Sequence, residues 1–356
     1  MAMTEPFLAP PGSFHPRNGA ILTSGILLTL NGLGALGSGV MSVVQVFLMK
    51  RIGSLDPKAA AELGEMGEPM WTISLANLVF YGLIGILFLY AAIGCFTYRR
   101  WARPMNLTLG WGWLYMGVVM MMGLVVMMGP MREAMSGAMK KATATTSGGA
   151  PPPPVPIDGI LGIVMVVYLL IIVVFVIVPP ALILWLNWSQ DVRHTLEWRD
   201  RVPRWTDRLP VALIGLVIAS ALFAIISIPG VFLMNEPWMA PLLGDGPVKY
   251  AWWLVPVAWA YVAWGTLRRQ IAAWFTAMIS LLAGAAMGFF SMRGTKWDEL
   301  YKQMGIPESD VGEMAEMMEA MFNPQKMMTL MIIGFVPLFG YLFWIFKDFR
   351  NTGTAE

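Results

Sequence analysis

Thioethers, two imidazoles, one thiol and a short run of mixed charge are the groups in this sequence that could do chemistry. The chain has 30 methionines, two histidines and one cysteine. Met127, Met131, Met135 and Met139 recur every four residues, with Pro130 interrupting the first step. Met314, Met317, Met318 and Met321 form a comparable stripe in the second half. Thioethers are soft ligands suited to Cu(I). Met116 and Met120, about one helical turn apart in an apolar run, stand where a copper-conducting helix would place them. The same stripes with Glu and Lys opposite them also describe an amphipathic helix lying on a membrane or on its twin, and Met is a plastic gap-filler. Packing is the expectation, and no cofactor or resident metal is assigned. His15 and His194 both lie outside the apolar runs, so the inventory excludes an intramembrane bis-histidine haem. Cys95 lies inside an apolar run, cannot form an intramolecular disulfide and reads as a small buried hydrophobe.

The densest polar stretch is 188–208. It carries Asp191, Arg193, His194, Glu197, Arg199, Asp200, Arg201, Arg204, Asp207 and Arg208. On a helix, Arg193–Glu197, Glu197–Arg201 and Asp200–Arg204 fall at i,i+4 and can pair, although Pro203 would end or kink that helix. Trp188, Trp198 and Trp205 would pin the segment to an interface. The expectation is a salt-bridged interfacial extension of the preceding helix. The sharper alternative is a docking surface for a soluble protein partner through Asp191, Arg193, His194, Glu197, Arg201 and Arg204. No nucleophile or metal set accompanies His194, so no catalytic residue is assigned. A phosphate-binding glycine loop, a nucleophile elbow and a zinc-protease motif are all absent from the sequence.

The elements that must carry these groups follow from composition. Hydrophobic residues make up 57% and charged residues 13%, against roughly 25% charged in soluble domains. Such a chain cannot cover its surface in water, and the lipid bilayer is the partner it fits. A net charge of +2 offers no basic bulk for nucleic acid. A helical crossing needs roughly 20 apolar residues. Runs of that kind lie near 20–48, 71–98, 105–129, 159–187, 211–234, 250–267, 271–291 and 327–346. The expected fold class is an all-α polytopic membrane protein with about eight crossings. Residues 1–18 lack the form of a cleaved signal, and the first run is long enough to be retained.

Short connections set the orientation. Arg99, Arg100 and Arg103 lie between runs two and three, Arg268 and Arg269 between six and seven, and five arginines between Arg193 and Arg208 lie between four and five. Lys347 and Arg350 end the last run. The positive-inside rule makes these ends cytoplasmic, with both termini inside a plasma membrane. Most acids fall on the other side, among them Glu62, Asp298, Glu308 and Glu319. No Asp, Glu, Lys, Arg or His lies in the core of a run, which argues against a proton pump or a carboxylate-based cation carrier. Asn31, Gln45 and Asn77 are the amides left for a neutral path, and their ordinary role is bonding between helices.

Four marks recur in order in the two halves. Val46-Phe47-Leu48-Met49 matches Val231-Phe232-Leu233-Met234, and Thr97-Tyr98-Arg99-Arg100 matches Thr266-Leu267-Arg268-Arg269. Long Met-rich outer segments follow runs three and seven, and Val178-Pro179 matches Val336-Pro337. Even numbers of crossings in each half give a parallel 4+4 repeat. The expected organisation is a cytoplasmic segment 1–19, a first half 20–187, a charged Trp-rich linker 188–210, a second half 211–346 and a tail 347–356. Gly32, Gly34, Gly37 and Gly39 read as close-packing positions, and 143–157 as a Ser/Gly-then-Pro linker.

The turn Tyr98-Arg99-Arg100-Trp101-Ala102-Arg103 resembles that of uncharacterised bacterial multi-span membrane proteins, which carry a similar Arg-Trp-Ala turn between two hydrophobic helices. The second half departs from it, because Gln270-Ile271 follows its arginines. The resemblance implies a membrane location and no activity. The expected function is a non-enzymatic scaffold or subunit of a membrane assembly of unspecified oligomeric state. The alternatives are a carrier for a neutral or apolar solute or Cu(I) between the halves and, third, a lipid-modifying enzyme.

Overall fold

A computed structural model of the chain describes residues 15–53, 57–146, 157–234, 252–294, 302 and 324–350. All regular structure among the described residues is helical, and no strand occurs there. Apolar runs take this form because a helix satisfies every backbone polar group within one segment. In chain order the elements are α1 (Asn18–Gly53), α2 (Pro57–Phe96), α3 (Ala102–Thr146), α4 (Ile157–Ile172), a π-helical turn (Val173–Ile177), α5 (Val178–Trp188), α6 (Gln190–Arg199), a 3-10 turn (Trp205–Arg208) and α7 (Val211–Met234). They continue with α8 (Leu254–Leu267), α9 (Ile271–Gly294) and α10 (Pro324–Arg350).

Among the described residues, 6 helices are long and apolar enough to cross a membrane: Asn18–Met49, Trp71–Phe96, Ala102–Gly129, Gly162–Trp188, Val211–Phe232 and Met328–Arg350. The other two apolar runs form shorter helices, Leu254–Leu267 and Ile271–Met287. Two helices extend past the runs that announce them: α2 begins at Pro57, and α3 passes through Pro130 to Thr146. Of the Ser/Gly-then-Pro linker, residues 147–156 lie outside the described residues. The fourth apolar run, continuous in sequence, is two α-helical rods. The Val178 N–H bonds back five residues to the Val173 carbonyl. Pro179 and Pro180 follow with no N–H to give, and the wider turn admits their rings.

α1 lies along α2, α3 packs on α4 and α5, α7 on α8, α8 on α9, and α9 on α10. Two apolar cores result. One gathers Ile21, Leu28, Ala91, Cys95, Ala102, Ile183 and Leu196, and the other Leu213, Val262, Trp274, Leu342, Ile345 and Phe349. Gly32 and Gly39 face α2, where an added Cβ would meet Leu89 at 2.9 Å and Tyr81 at 3.3 Å, while Gly34 and Gly37 meet nothing within 4 Å. Only half of that glycine pattern therefore serves helix packing.

The α2–α3 and α8–α9 connections share one backbone geometry. Tyr98 and Arg269 are left-handed, at φ 52° and 53°. The Tyr98 N–H donates to the Cys95 carbonyl and the Arg99 N–H to that of Gly94; Arg269 donates to Thr266, and Gln270 to Gly265. Helix restarts when Ala102 donates to Arg99, and Ala273 to Gln270. Holding a non-glycine residue in this conformation costs about 1–2 kcal/mol. The close fit explains why Gly94 and Gly265 precede it: an added Cβ would lie 2.6 Å from Trp101 and 2.6 Å from Ala273 respectively.

Candidate functional site

A network of polar groups converges where the α2–α3 turn meets α6 and the 3-10 turn. α6 is a short amphipathic helix with Ser189 as its N-cap, accepting from the Asp191 N–H at 3.1 Å. Asp191 stands in its first turn and Arg199 in its last, the arrangement favoured by the helix dipole. Its buried face (Val192, Thr195 and Leu196) seats it on the first core. α6 ends at Arg199, before Pro203, because Asp200 turns extended.

That turn brings Asp200 over the α2–α3 connection. Only 6% exposed, its carboxylate accepts from the Arg100 backbone N–H at 3.3 Å and from the Val202 N–H at 3.4 Å. Arg99 and Arg204 approach it at 4.0 and 3.7 Å. Arg100 reaches further, to Glu197 at 3.8 Å and Asp207 at 3.5 Å. These last contacts are ion pairs rather than aligned hydrogen bonds, since Arg100 Nε makes none. Asp207 also caps the 3-10 turn by accepting from the Arg204 N–H at 2.8 Å. From the chain start, Arg17 donates its N–H to Thr195 Oγ1 at 3.1 Å and places its guanidinium 3.7 Å from Asp191.

The structure thus places the six docking candidates as follows. Asp191 faces Arg17, and Glu197 is shared by Arg193 (2.8 Å), Arg100 and His194 (3.7 Å). Arg204 faces Asp200, and Arg201 is exposed. Of the three i,i+4 pairs read from sequence, Arg193–Glu197 forms on the helix, and Asp200–Arg204 forms beyond its end. Glu197, Asp200 and Asp207 look inward, to the α2–α3 turn, while Asp191 meets Arg17.

Beneath the charges lies a buried amide cluster. Asn187, on α5, donates to Ser24 Oγ on α1 and to the Ile183 carbonyl, both at 2.8 Å. Asn106, on α3, donates to Asn187 Oδ1 and to Cys95 Sγ, both at 3.1 Å. Arg103 Nε donates to the Asn187 carbonyl at 3.1 Å. Asn106 Oδ1 has no partner. Four helices meet here through side chains far apart in sequence. The only prior signal is that both amides sit near the ends of apolar runs.

Met116 and Met120 are exposed on α3, and Met127 is half-buried on the same helix. The side chains of Met131, Met135 and Met139 lie outside the described residues, as do Met314, Met317, Met318 and Met321 altogether. Among the described residues no three His, Cys, Asp or Glu groups converge on a metal-sized site. Asn31 is bonded within its own helix, donating to the Leu27 carbonyl at 2.7 Å. The arrangement can hold helices and present charge; among the described residues it positions no nucleophile against a base.

No family model matches the chain, and no curated protein or solved structure shows significant similarity to it.

Proposed function

We propose that this is a non-catalytic integral membrane subunit, built as two parallel four-helix halves that cross the bilayer eight times in all. Both termini and the arginine-bearing turns lie in the cytoplasm. Three features beyond sequence support the repeat. The two left-handed turns coincide bond for bond. Phe47 meets Trp71 edge-on at 5.5 Å, and Phe232 meets Trp253 in the same way at 5.3 Å. Ser42 and Ser227 each bond back three residues.

The observation that carries the subunit reading is the fourth crossing. Its outer part presents one broad, exposed apolar face, formed by Ile163, Val166, Val167, Leu170 and Ile171, while Ile172 is buried. Van der Waals packing against another protein's helix is the gain open to such a face within the bilayer. The contact between the halves, where a carrier's path would run, is filled. Tyr115 donates to the Gly334 carbonyl, Leu330 lies 3.5 Å from the Gly123 position, and Ile218 packs on the first core.

A photo-crosslinking side chain introduced at Val167 or Leu170 in native membranes tests the reading. The expected result is one discrete protein adduct that also co-purifies after gentle extraction. A chain that yields only lipid adducts and purifies as a lone monomer sinks it.

A further inference from the structure

We infer that the second-half turn holds the headgroup of an anionic phospholipid, in the cleft formed by Trp205, Arg208, Leu209, Leu267, Arg268 and Arg269. The cleft encloses about 350 Å³. It rests on placing this end at the cytoplasmic membrane surface.

The two equivalent turns differ in how their cations are met. In the first half, Arg99 and Arg100 face Asp200, Glu197 and Asp207. In the second, none of Arg208, Arg268 and Arg269 lies within ion-pair distance of a carboxylate among the described residues. Two of the three side chains are nevertheless held. Arg269, left-handed at φ 53°, donates from Nη2 to the Arg208 carbonyl at 2.6 Å. Arg268 sits over the Trp264 ring at 4.3 Å, a cation–π contact. Arg208 ends the 3-10 turn that Trp205 begins. Three arginines therefore line one opening, two of them with held guanidinium groups, and no carboxylate among the described residues meets them. Guanidinium forks match phosphate oxygens in pairs.

The remaining walls argue for a lipid over a soluble phosphate. Leu267 and Trp205 are both about half exposed, and Leu267 is the last residue of an apolar helix. A ligand with an anionic head and an apolar body satisfies both the arginines and these walls, and basic pockets between crossing helices on the cytoplasmic side suit such headgroups.

The test is native mass spectrometry of the full chain in micelles, titrated with phosphatidylglycerol or with phosphatidylcholine. The expected result is one saturable phosphatidylglycerol site preferred over phosphatidylcholine. Affinity should fall about fivefold for each arginine removed in Arg208→Gln, Arg268→Gln and their double variant. Arg268→Gln leaves the backbone-bonding Arg269 in place, and Arg201→Gln, an exposed arginine outside the cleft, should change nothing. Glycerol phosphate and inorganic phosphate should not displace the lipid. Equal loss in Arg201→Gln, unchanged preference in the double variant, or displacement by free phosphate would each overturn the proposal. Binding is read in micelles, so its failure is separate from failure of the subunit reading, which partner adducts decide.

Discussion

Replacing Asn187 by Leu isolates what the buried amide cluster contributes. Asn187→Leu removes the interhelical bonds to Ser24 and from Asn106 and leaves the Asn106 amide facing hydrocarbon, with only Cys95 Sγ as acceptor. Interhelical hydrogen bonds in membranes average about 0.6 kcal/mol, and an orphaned buried amide costs about 1–3 kcal/mol. The single substitution should therefore destabilise by about 2–4 kcal/mol. Asn106→Ala leaves Asn187 its two acceptors but strips its Oδ1 of a donor, and should cost about 1–2 kcal/mol. The double variant has no orphan, because Ser24 still bonds to the Ala20 carbonyl. It should cost less than Asn187→Leu alone, with a coupling of about 1–2 kcal/mol. Equilibrium unfolding of the purified chain in mixed detergent, followed by near-ultraviolet circular dichroism of its tryptophans, measures all four corners of the cycle. Additive costs would refute the reasoning, since they would mean that the amides do not depend on each other.

Asp200→Asn keeps an acceptor for the Arg100 N–H but deletes the charge facing Arg99 and Arg204, and should lower stability by about 1–2 kcal/mol at low salt. The loss should shrink at high salt, because those arginines are partly exposed; thermal melts at two ionic strengths check it. Gly94→Ala drives a methyl to 2.6 Å from the Trp101 ring, which stacks on Tyr90 at 4.3 Å, and should cost about 1–3 kcal/mol by the same melts. For topology, a cysteine at Arg201 should react with an impermeant maleimide only after the membrane is opened, whereas one at Lys302 should react in intact cells. Native Cys95 is buried and stays silent.

Much of the helical layout is legible in the sequence because crossing a bilayer needs long apolar runs, and those runs are what the helices follow. Their ends are less so: nothing in hydropathy tells α2 to start at Pro57. The turns show how likeness can mislead. Matching Thr97–Arg100 to Thr266–Arg269 aligns Tyr98 with Leu267, yet the left-handed residue opposite Tyr98 is Arg269. Arginines collect at a charged interface wherever the backbone presents them. The turn is set instead by where the helix carbonyls of Gly94 and Gly265 are capped. The charge network illustrates a second limit. Arg193–Glu197 is visible as an i,i+4 pair, but Asp200 finds Arg99 and Arg100 only through the fold. Asn106 and Asn187 likewise meet only when α3 lies against α5.

The π-helical turn sets the angular phase between α4 and α5. An extra residue in one turn rotates everything beyond it by about 100° about the axis. α5 is clamped near its C-terminal end by Asn187 and Leu184, so the rotation falls on α4. The stripe that α4 offers to its surroundings is thus decided by a residue count between Val173 and Ile177 as much as by its own side chains. Shortening that turn by one residue would swing a different apolar stripe into place while leaving the charged face and its clamps where they are.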